Sequence, residues 1–347
     1  MIPRLNISFP IGEQFQYWFA QREYAPKVGE YLFNHNRSAI ALALKACLPV
    51  GSRVGVVSYN CHTVGNAVLL AGCEPVFMDV DEELKIRIEG LAEKNVDAVI
   101  VTHLFGIVND VEAIRNACPE AIIIEDCAHA RGAIKEIKGD IATFSIGAAK
   151  LPSIGDGGIL VCRNKTYQAC IDALYQHLPE YTLTQEFNLF VRMVAMHWLQ
   201  RPWIYTILTK PFLKRDKGAG QVRVEEPLRK MAHGIRRLYA CVMENEEQMV
   251  DGQVARQLVQ AERVCKILVG ETNIERVLVG ENAFMVVAVC KDPIALKQAF
   301  ARKGIETETH FRYTIDWAKQ LGYQSGTCPT AEYMVKHVLM IPTYREY

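Results

Sequence analysis

Between Arg53 and Ser145 short apolar, β-branched runs alternate with helix-like stretches, and this alternation constrains the fold more than any other feature of the chain. Arg53–Ser58 and Pro75–Val80 flank the helix-like Thr63–Ala71; Asp97–Thr102 and Ala121–Glu125 flank Asp110–Ala117; Ile141–Ser145 closes the series. Strands separated by helices need crossover connections, which build a mostly parallel sheet. In such sheets ligands gather beyond the carboxyl ends of the strands. Polar residues sit directly there: Tyr59-Asn60-Cys61-His62, Thr102-His103, Glu125-Asp126 and Ser145. Each alone reads equally well as a strand-end cap or a satisfied core group; together they are expected to converge on one sheet edge. Ahead of them, Ser38–Cys47 is an Ala- and Leu-rich helix opened by the polar turn Asn36-Arg37-Ser38.

The rest of the chain differs in texture. Gln168–Leu258 carries long helical patterns and an aromatic, basic stretch, Phe187–Arg215, while Asn282–Tyr347 returns to mixed structure, with Phe284–Cys290 as a strand, Pro293–Lys303 as a helix and Glu306–Phe311 after them. The expected organisation is a large α/β unit over residues 1–250, with a helical insertion near 180–220, and a smaller α+β unit over 251–347. With 39 Lys+Arg against 39 Asp+Glu the chain lacks the cationic excess of a dedicated nucleic-acid binder, although a local basic patch is compatible with it. Eleven scattered cysteines include no C-x-x-C pair, so no metal site is expected; they read as reduced thiols of a cytoplasmic protein. No leader-like apolar segment opens the chain, and no apolar run reaches the ~18 residues of a spanning helix.

The densest chemistry lies in Ile122–Ala133 and Thr143–Gly158, which hold Asp126, His129, Ser145 and Lys150, with glycines behind the lysine. A pocket lysine forms a Schiff base with an aldehyde cofactor, and a strand-end carboxylate keeps a pyridine nitrogen protonated. Those two groups are the minimum for pyridoxal phosphate (PLP) chemistry.

At these residues the chain resembles the DegT/DnrJ/EryC1/StrS sugar aminotransferases, PLP enzymes of the aspartate aminotransferase fold, fold type I. The resemblance runs through most of the chain in order: Val57-Ser58-Tyr59, Asn66-Ala67-Val68, Ala71–Val80, Thr102–Gly106, Glu125–Ala133, Phe144-Ser145 with Lys150 and Gly155–Gly158, Gly304–Thr307 with His310-Phe311, and Cys328–Glu332 with Ile341–Tyr344. It implies that Lys150 binds the cofactor aldehyde and shuttles the proton, with Gly147, Ala148 and Ala149 leaving it space, and that Asp126 pairs with the pyridine nitrogen. His129 stands where the family often has Gln, near the cofactor's phenolic oxygen. Asn36, Arg37, Ser38 and Ser145 fall at the phosphate; Arg37 either adds charge there or points away. Cys61 occupies the usual position of a stacking aromatic, so either His62 stacks on the ring or a smaller contact serves. His310 and Tyr313 fall near the substrate by the same analogy.

The implied reaction is transfer of an amino group, from an amino acid such as glutamate, to a keto sugar that is nucleotide-linked, in cell-surface polysaccharide or related amino-sugar biosynthesis. The alternatives are a PLP-dependent sugar dehydratase, or other PLP reaction on the scaffold, and a non-enzymatic regulator retaining the fold. Relatives that dehydrate sugars replace the lysine with histidine, so Lys150 favours amino transfer. Family members are homodimers with the active site at the interface, where a neighbouring asparagine reaches the phosphate; the nearest match here is Arg229-Lys230-Met231-Ala232, with Arg229 or Lys230 as the replacement. The smaller unit stops soon after Pro342 and is expected to be abbreviated relative to the family. Phe187–Arg215 reads either as helical packing at a subunit interface or as a peripheral membrane contact.

Overall fold

A computed structural model describes residues 11–209, 227–309 and 311–344. Its large sheet contains β1 (Glu30–Phe33), β2 (Arg53–Val57), β3 (Glu74–Met78), β4 (Ala98–Thr102), β5 (Ile122–Asp126), β6 (Ile141–Ser145) and β7 (Gly158–Cys162). The strand order is β1-β7-β6-β5-β4-β2-β3. Strands β3, β2, β4, β5 and β6 pair in parallel, as the alternating pattern requires, whereas β7 runs antiparallel to both β6 and β1. The central strands read as unbroken apolar runs because both of their faces are covered. Val54, Val56, Ile100 and Ile124 pack towards one layer, and Val57, Val99, Val101 and Ile123 towards the other.

The helices are α1 (Ile11–Trp18), α2 (Asn36–Cys47), α3 (His62–Leu70), α4 (Val111–Ala117), α5 (Lys165–Tyr175), α6 (Leu183–Leu199), α7 (His233–Met243), α8 (Glu246–Leu268), α9 (Pro293–Arg302), α10 (Thr314–Lys319) and α11 (Pro329–His337). Helix α2 is rich in Ala and Leu because it is buried from Ser38 to Leu44 against the sheet. The Asp110 carboxylate accepts from the Ala113 N–H and starts α4, satisfying one of the donors a helix end leaves open. Residue 250 lies inside α8, so one continuous helix leads from the large sheet to a second, antiparallel sheet of β8 (Ile274–Val279), β9 (Met285–Cys290) and β10 (Val338–Pro342), in the order β10-β9-β8. Among the described residues of 306–311 a single bridge joins this sheet, Glu308 to Met340, and Phe311 takes φ = 63°.

Two close approaches position the site. The Cβ that any other residue would carry at Gly158 would lie 2.4 Å from the His35 carbonyl carbon and 2.5 Å from the Asn36 nitrogen, so glycine lets α2 begin directly against β7. A Cβ at Gly280 would lie 2.3 Å from the Gly106 carbonyl carbon, and this contact seats the small sheet on the large one. Beside it the buried Asn282 amide donates to the carbonyls of His129 (2.8 Å) and Arg131 (2.9 Å).

Behind the strand ends His103 and Glu125 form a buried pair, His103 Nε2 to Glu125 Oε2 at 3.0 Å. His103 Nδ1 accepts from the Asn109 N–H, so Nε2 carries the proton, and Glu125 Oε1 accepts from the N–H groups of Lys138 and Gly139. Burial alone would raise the Glu125 carboxyl, but the bonds from His103, Gly139 and Lys138 outweigh it and hold the group below the usual range. Because the folded value is depressed, the stabilisation is complete above the ordinary carboxylate range and is lost as pH falls through the lowered value.

Two predictions follow from these contacts. Gly158→Ala is expected to cost about 2 kcal/mol in urea unfolding, because backbone rather than a pliable side chain meets the new methyl group. Glu125→Gln is expected to cost about 3 kcal/mol at neutral pH and to flatten the acid limb of the stability profile. An unchanged acid limb in that variant refutes the role of the pair.

Candidate active site

The carboxyl ends of β2, β5 and β6, the start of α2 and the Gly147–Gly157 loop meet around Asp126 and Lys150. Asp126 ends β5 and is 3% exposed. Its Oδ1 accepts twice, from Asn36 Nδ2 (2.9 Å) and from the Ala128 N–H (3.2 Å). Both bonds fall on one oxygen, which leaves Oδ2 to accept from a donor in the pocket. Burial raises this carboxyl above its ordinary value, against the opposing pull of the Ala128 N–H, the Lys150 charge and the Asn36 bond.

Lys150 follows Ala149, a non-glycine residue at φ = 62°, in a loop pinned by Ser153, whose Oγ accepts from the Ala149 N–H (3.0 Å) and donates to the Gly147 carbonyl (3.4 Å). Burial pulls the Lys150 amine below the ordinary lysine range, partly offset by the nearby Cys61 and Asp126. Its Nζ lies 5.7 Å from the centre of the Phe284 ring. Phe105, His129, Phe284, Glu306 and Glu308 surround it in a pocket of about 110 Å³. His129 is sandwiched between Phe105 (ring centres 5.5 Å) and Phe284 (4.6 Å). Its Nδ1 accepts from the Phe105 N–H at 3.3 Å, so Nε2 carries the proton of the neutral ring.

The other candidates take these places. Ser145, at the end of β6, accepts from the Gly147 N–H (3.4 Å). Cys61 precedes α3, with its thiol 3.1 Å from the Thr63 hydroxyl. His62 opens α3 edge-to-face with Trp317, ring centres 5.2 Å apart; desolvation first, then the Arg37 charge, hold it below the ordinary histidine value. That coupling puts Arg37 near His62, and Ser38 is buried in the first turn of α2. Asn36, grouped by sequence with the phosphate contacts, turns its amide to Asp126 instead. Tyr313 precedes α10 beneath the Arg312 guanidinium, off the wall of the Lys150 pocket, and His310 lies outside the described residues. Arg229 donates to Gln185 Oε1 and the Glu180 carbonyl, and Lys230 to the Glu180 carboxylate. Among the described residues one potential metal-binding group occurs, His103, Glu125 and Cys127, and its imidazole and carboxylate are already consumed by the hydrogen bonds above.

The Asp126 carboxylate, the Lys150 amine and the His129 imidazole are the kinds of group that PLP requires, and the residues fit that group. Asp126 would hold the ring nitrogen, His129 the phenolic oxygen, Lys150 the aldehyde, and the α2 start with Ser145 the phosphate. Asn36 Oδ1 is buried without a partner, a further polar atom left over at this site.

Residues 33–188 match the sequence model of the DegT/DnrJ/EryC1/StrS aminotransferase family. The match covers this segment, somewhat less than half of the chain. The fold is that of solved sugar aminotransferases. Sugar aminotransferase CalS13 from Micromonospora echinospora superposes with a TM-score of 0.69 at 20% identity, over 99% of this chain and 95% of that one. DesV from S. venezuelae superposes with a TM-score of 0.70 at 18% identity, over 96% and 89%. An uncharacterized protein from Methanocaldococcus jannaschii is 22% identical over 94% of this chain and 86% of its own length. The dTDP-4-amino-4,6-dideoxy-D-glucose transaminase of Shigella dysenteriae is 31% identical over 41% of this chain, a match that spans 42% of its own length.

Phe105, Ser153, Phe284, Glu306 and Glu308 were not singled out by sequence. Ser153 had a local signal, a hydroxyl three residues beyond the lysine, whereas the others reach the pocket through long-range packing. Asn36→Ala is expected to weaken PLP binding to the apo protein about tenfold, with Asn36→Asp no better, because an ionised carboxylate cannot donate to Asp126. Equilibrium titration of the apo protein with PLP checks this, and equal affinity in all three proteins would show that Asn36 does not set the orientation of Asp126.

Proposed function

We propose that the protein transfers an amino group from an amino acid, glutamate by preference, to the keto group of a nucleotide-linked sugar. The reading rests above all on one observation, a pocket lysine and a buried strand-end aspartate close enough for their charges to act on each other, Lys150 with its amine depressed and Asp126 with both described hydrogen bonds on Oδ1. Curated relatives carry names of matching chemistry, including GDP-perosamine synthase of Vibrio cholerae. That match spans 37% of the relative's length, so substrate and pathway belong to this proposal. The biological setting is cell-surface polysaccharide or related amino-sugar synthesis in the cytoplasm, carried out by a homodimer whose active sites sit at the interface. We take residues 1–250 as the cofactor unit and 251–347 as the smaller one.

When bound, PLP supplies an electrophilic aldehyde and an electron-withdrawing ring. The chain's own residues do the rest. Asp126 Oδ2 holds a proton on the ring nitrogen. His129, fixed by the Phe105 N–H and two flanking rings, donates from Nε2 to the phenolic oxygen. Lys150 loses its proton more readily than an exposed lysine, and so accepts one from the donor's α-carbon and later returns one to the sugar carbon. Arg37, Ser38 and Ser145 hold the phosphate, with Arg229 or Lys230 of the neighbouring subunit in place of the family's asparagine. Phe105 and Phe284 exclude water from the reacting atoms.

The E. coli GDP-4-keto-6-deoxy-D-mannose-3-dehydratase, solved with bound hydrated PLP, shares the fold at a TM-score of 0.66 and 15% identity. Dehydration is therefore the rival reaction, and Lys150 is the residue that speaks for amino transfer. Mixing the PLP-loaded protein with glutamate is expected to bleach the visible band of the cofactor and release one equivalent of 2-oxoglutarate. Lys150→Ala is expected to slow this by about 10³-fold and to abolish borohydride-stable attachment of PLP. Failure of every amino donor to bleach the wild-type band would refute amino transfer.

A further inference from the structure

The pocket that holds Lys150 has an acidic wall, supplied by a strand-like segment beside the small sheet. Residues 305–308 run along β10, tied there by the Glu308 N–H to the Met340 carbonyl (3.0 Å) and the Met340 N–H to the Glu308 carbonyl (2.8 Å). In extended chain alternate side chains share a face. Ile305 and Thr307 are buried, Ile305 in one cluster with Leu339 and Ile341. Glu306 and Glu308 turn together to the other side, where both line the Lys150 pocket. Glu306 is also held from outside, since the Tyr205 hydroxyl of the π-helical turn Tyr205–Thr209 donates to its carboxylate.

Charge and hydrogen-bonding capacity limit what fits against this wall. A carboxylate accepts hydrogen bonds and donates none. A wall built to grip a substrate by its acid groups carries arginine or lysine where those groups land. Among the described residues lining the pocket Lys150 is the one lysine or arginine, and its amine serves the reaction itself. A substrate carboxylate arriving beside Glu306 and Glu308 meets like charge at close range, which repels it. Hydroxyl groups are the complement: each donates to a carboxylate oxygen in a charge-assisted bond, and a ring bearing several of them satisfies both glutamates.

We propose that Glu306 and Glu308 select the acceptor of the reaction, accepting hydrogen bonds from the hydroxyls of a neutral sugar ring whose keto carbon faces Lys150. The proposal rests on the amino-transfer reading above and adds which residues of the chain read the sugar. The same wall turns the carboxylates of the amino donor away, so two substrates that visit one lysine are told apart by charge.

The test is calorimetric titration of the PLP-loaded wild type, Glu306→Gln and Glu308→Gln with two kinds of probe. Glutarate stands for the dicarboxylate, and dTDP-glucose, GDP-mannose and UDP-N-acetylglucosamine for the sugar; none of them carries the amine or keto group that the reaction needs. The substituted amide keeps the size and one acceptor oxygen and removes the charge. In each variant glutarate is expected to bind about fivefold more tightly, and the nucleotide sugar that the wild type binds about tenfold more weakly. A merely structural role would weaken both probes together, and that outcome overturns the proposal. Unchanged affinities overturn it too, as does failure of the wild type to bind any of the three nucleotide sugars. An unchanged visible band of the cofactor shows in each variant that the pocket is intact. Binding reads no catalysis, so the two readings fail separately. A band that glutamate bleaches, with affinities unchanged in the variants, sinks this proposal alone; opposite shifts in a protein that no amino donor bleaches sink amino transfer and leave the sugar-reading wall standing.

Discussion

The arrangement depends on how close α2 comes to the sheet. With no side chain at Gly158, the His35 carbonyl and the Asn36 nitrogen rest on β7, and from there the Asn36 amide reaches Asp126 on β5. That bond, with the one from Ala128, occupies a single carboxylate oxygen and leaves the other for a further donor. A helix start is also the partly positive end of a helix, so the same contact that orients Asp126 brings an anion-binding end to the rim of the site. Backbone packing, side-chain orientation and local charge therefore have one cause.

A second seam completes the pocket. The Gly280–Gly106 approach and the Asn282 amide lock the small sheet onto the loop that carries His129 and Arg131. Only then does Phe284 meet His129 on one side and Lys150 on another. Thr314 adds a third tie, its hydroxyl donating to the Asn60 carbonyl beyond β2 at 2.8 Å. The pocket wall thus comes from both ends of the chain, and loosening either seam opens it to water, which would weaken every electrostatic contact inside.

What was legible in the sequence was what repeats or sits at a strand end. The β2–β6 core follows from alternating apolar runs, with boundaries accurate to a residue or two; Asp126 and Ser145 stand out because they end such runs, and Lys150 because small residues and glycines flank it. Strand β7 was missed because its Gly-Asp-Gly-Gly approach reads as a loop, when the last glycine is required by α2 pressing on the strand. Strand β1 is four residues long, too short for alternation to register. Asn36 was assigned to the phosphate because its position in the helix was visible and the 90-residue contact to Asp126 was not. Phe105, Phe284 and Glu306 illustrate the same limit: nothing local marks a residue that joins the site through long-range packing.

Burial acts in opposite directions on the two groups at the centre of the site. It raises Asp126 and lowers Lys150, so dryness favours the neutral form of each, while their mutual attraction works against both shifts. A cation delivered to Asp126 Oδ2 changes that balance. It gives the carboxylate a nearer partner than Lys150, and so weakens one of the pulls that oppose the desolvation driving the amine's proton off. The hydrogen bond from Asn36 sets which oxygen is free to receive that cation, and hence how far the carboxylate's charge is withdrawn from the lysine. A cation held at Asp126 and an amine at Lys150 that gives up its proton more readily would therefore be coupled outcomes of one buried arrangement, and a loop that merely placed a lysine near an aspartate in water would produce neither.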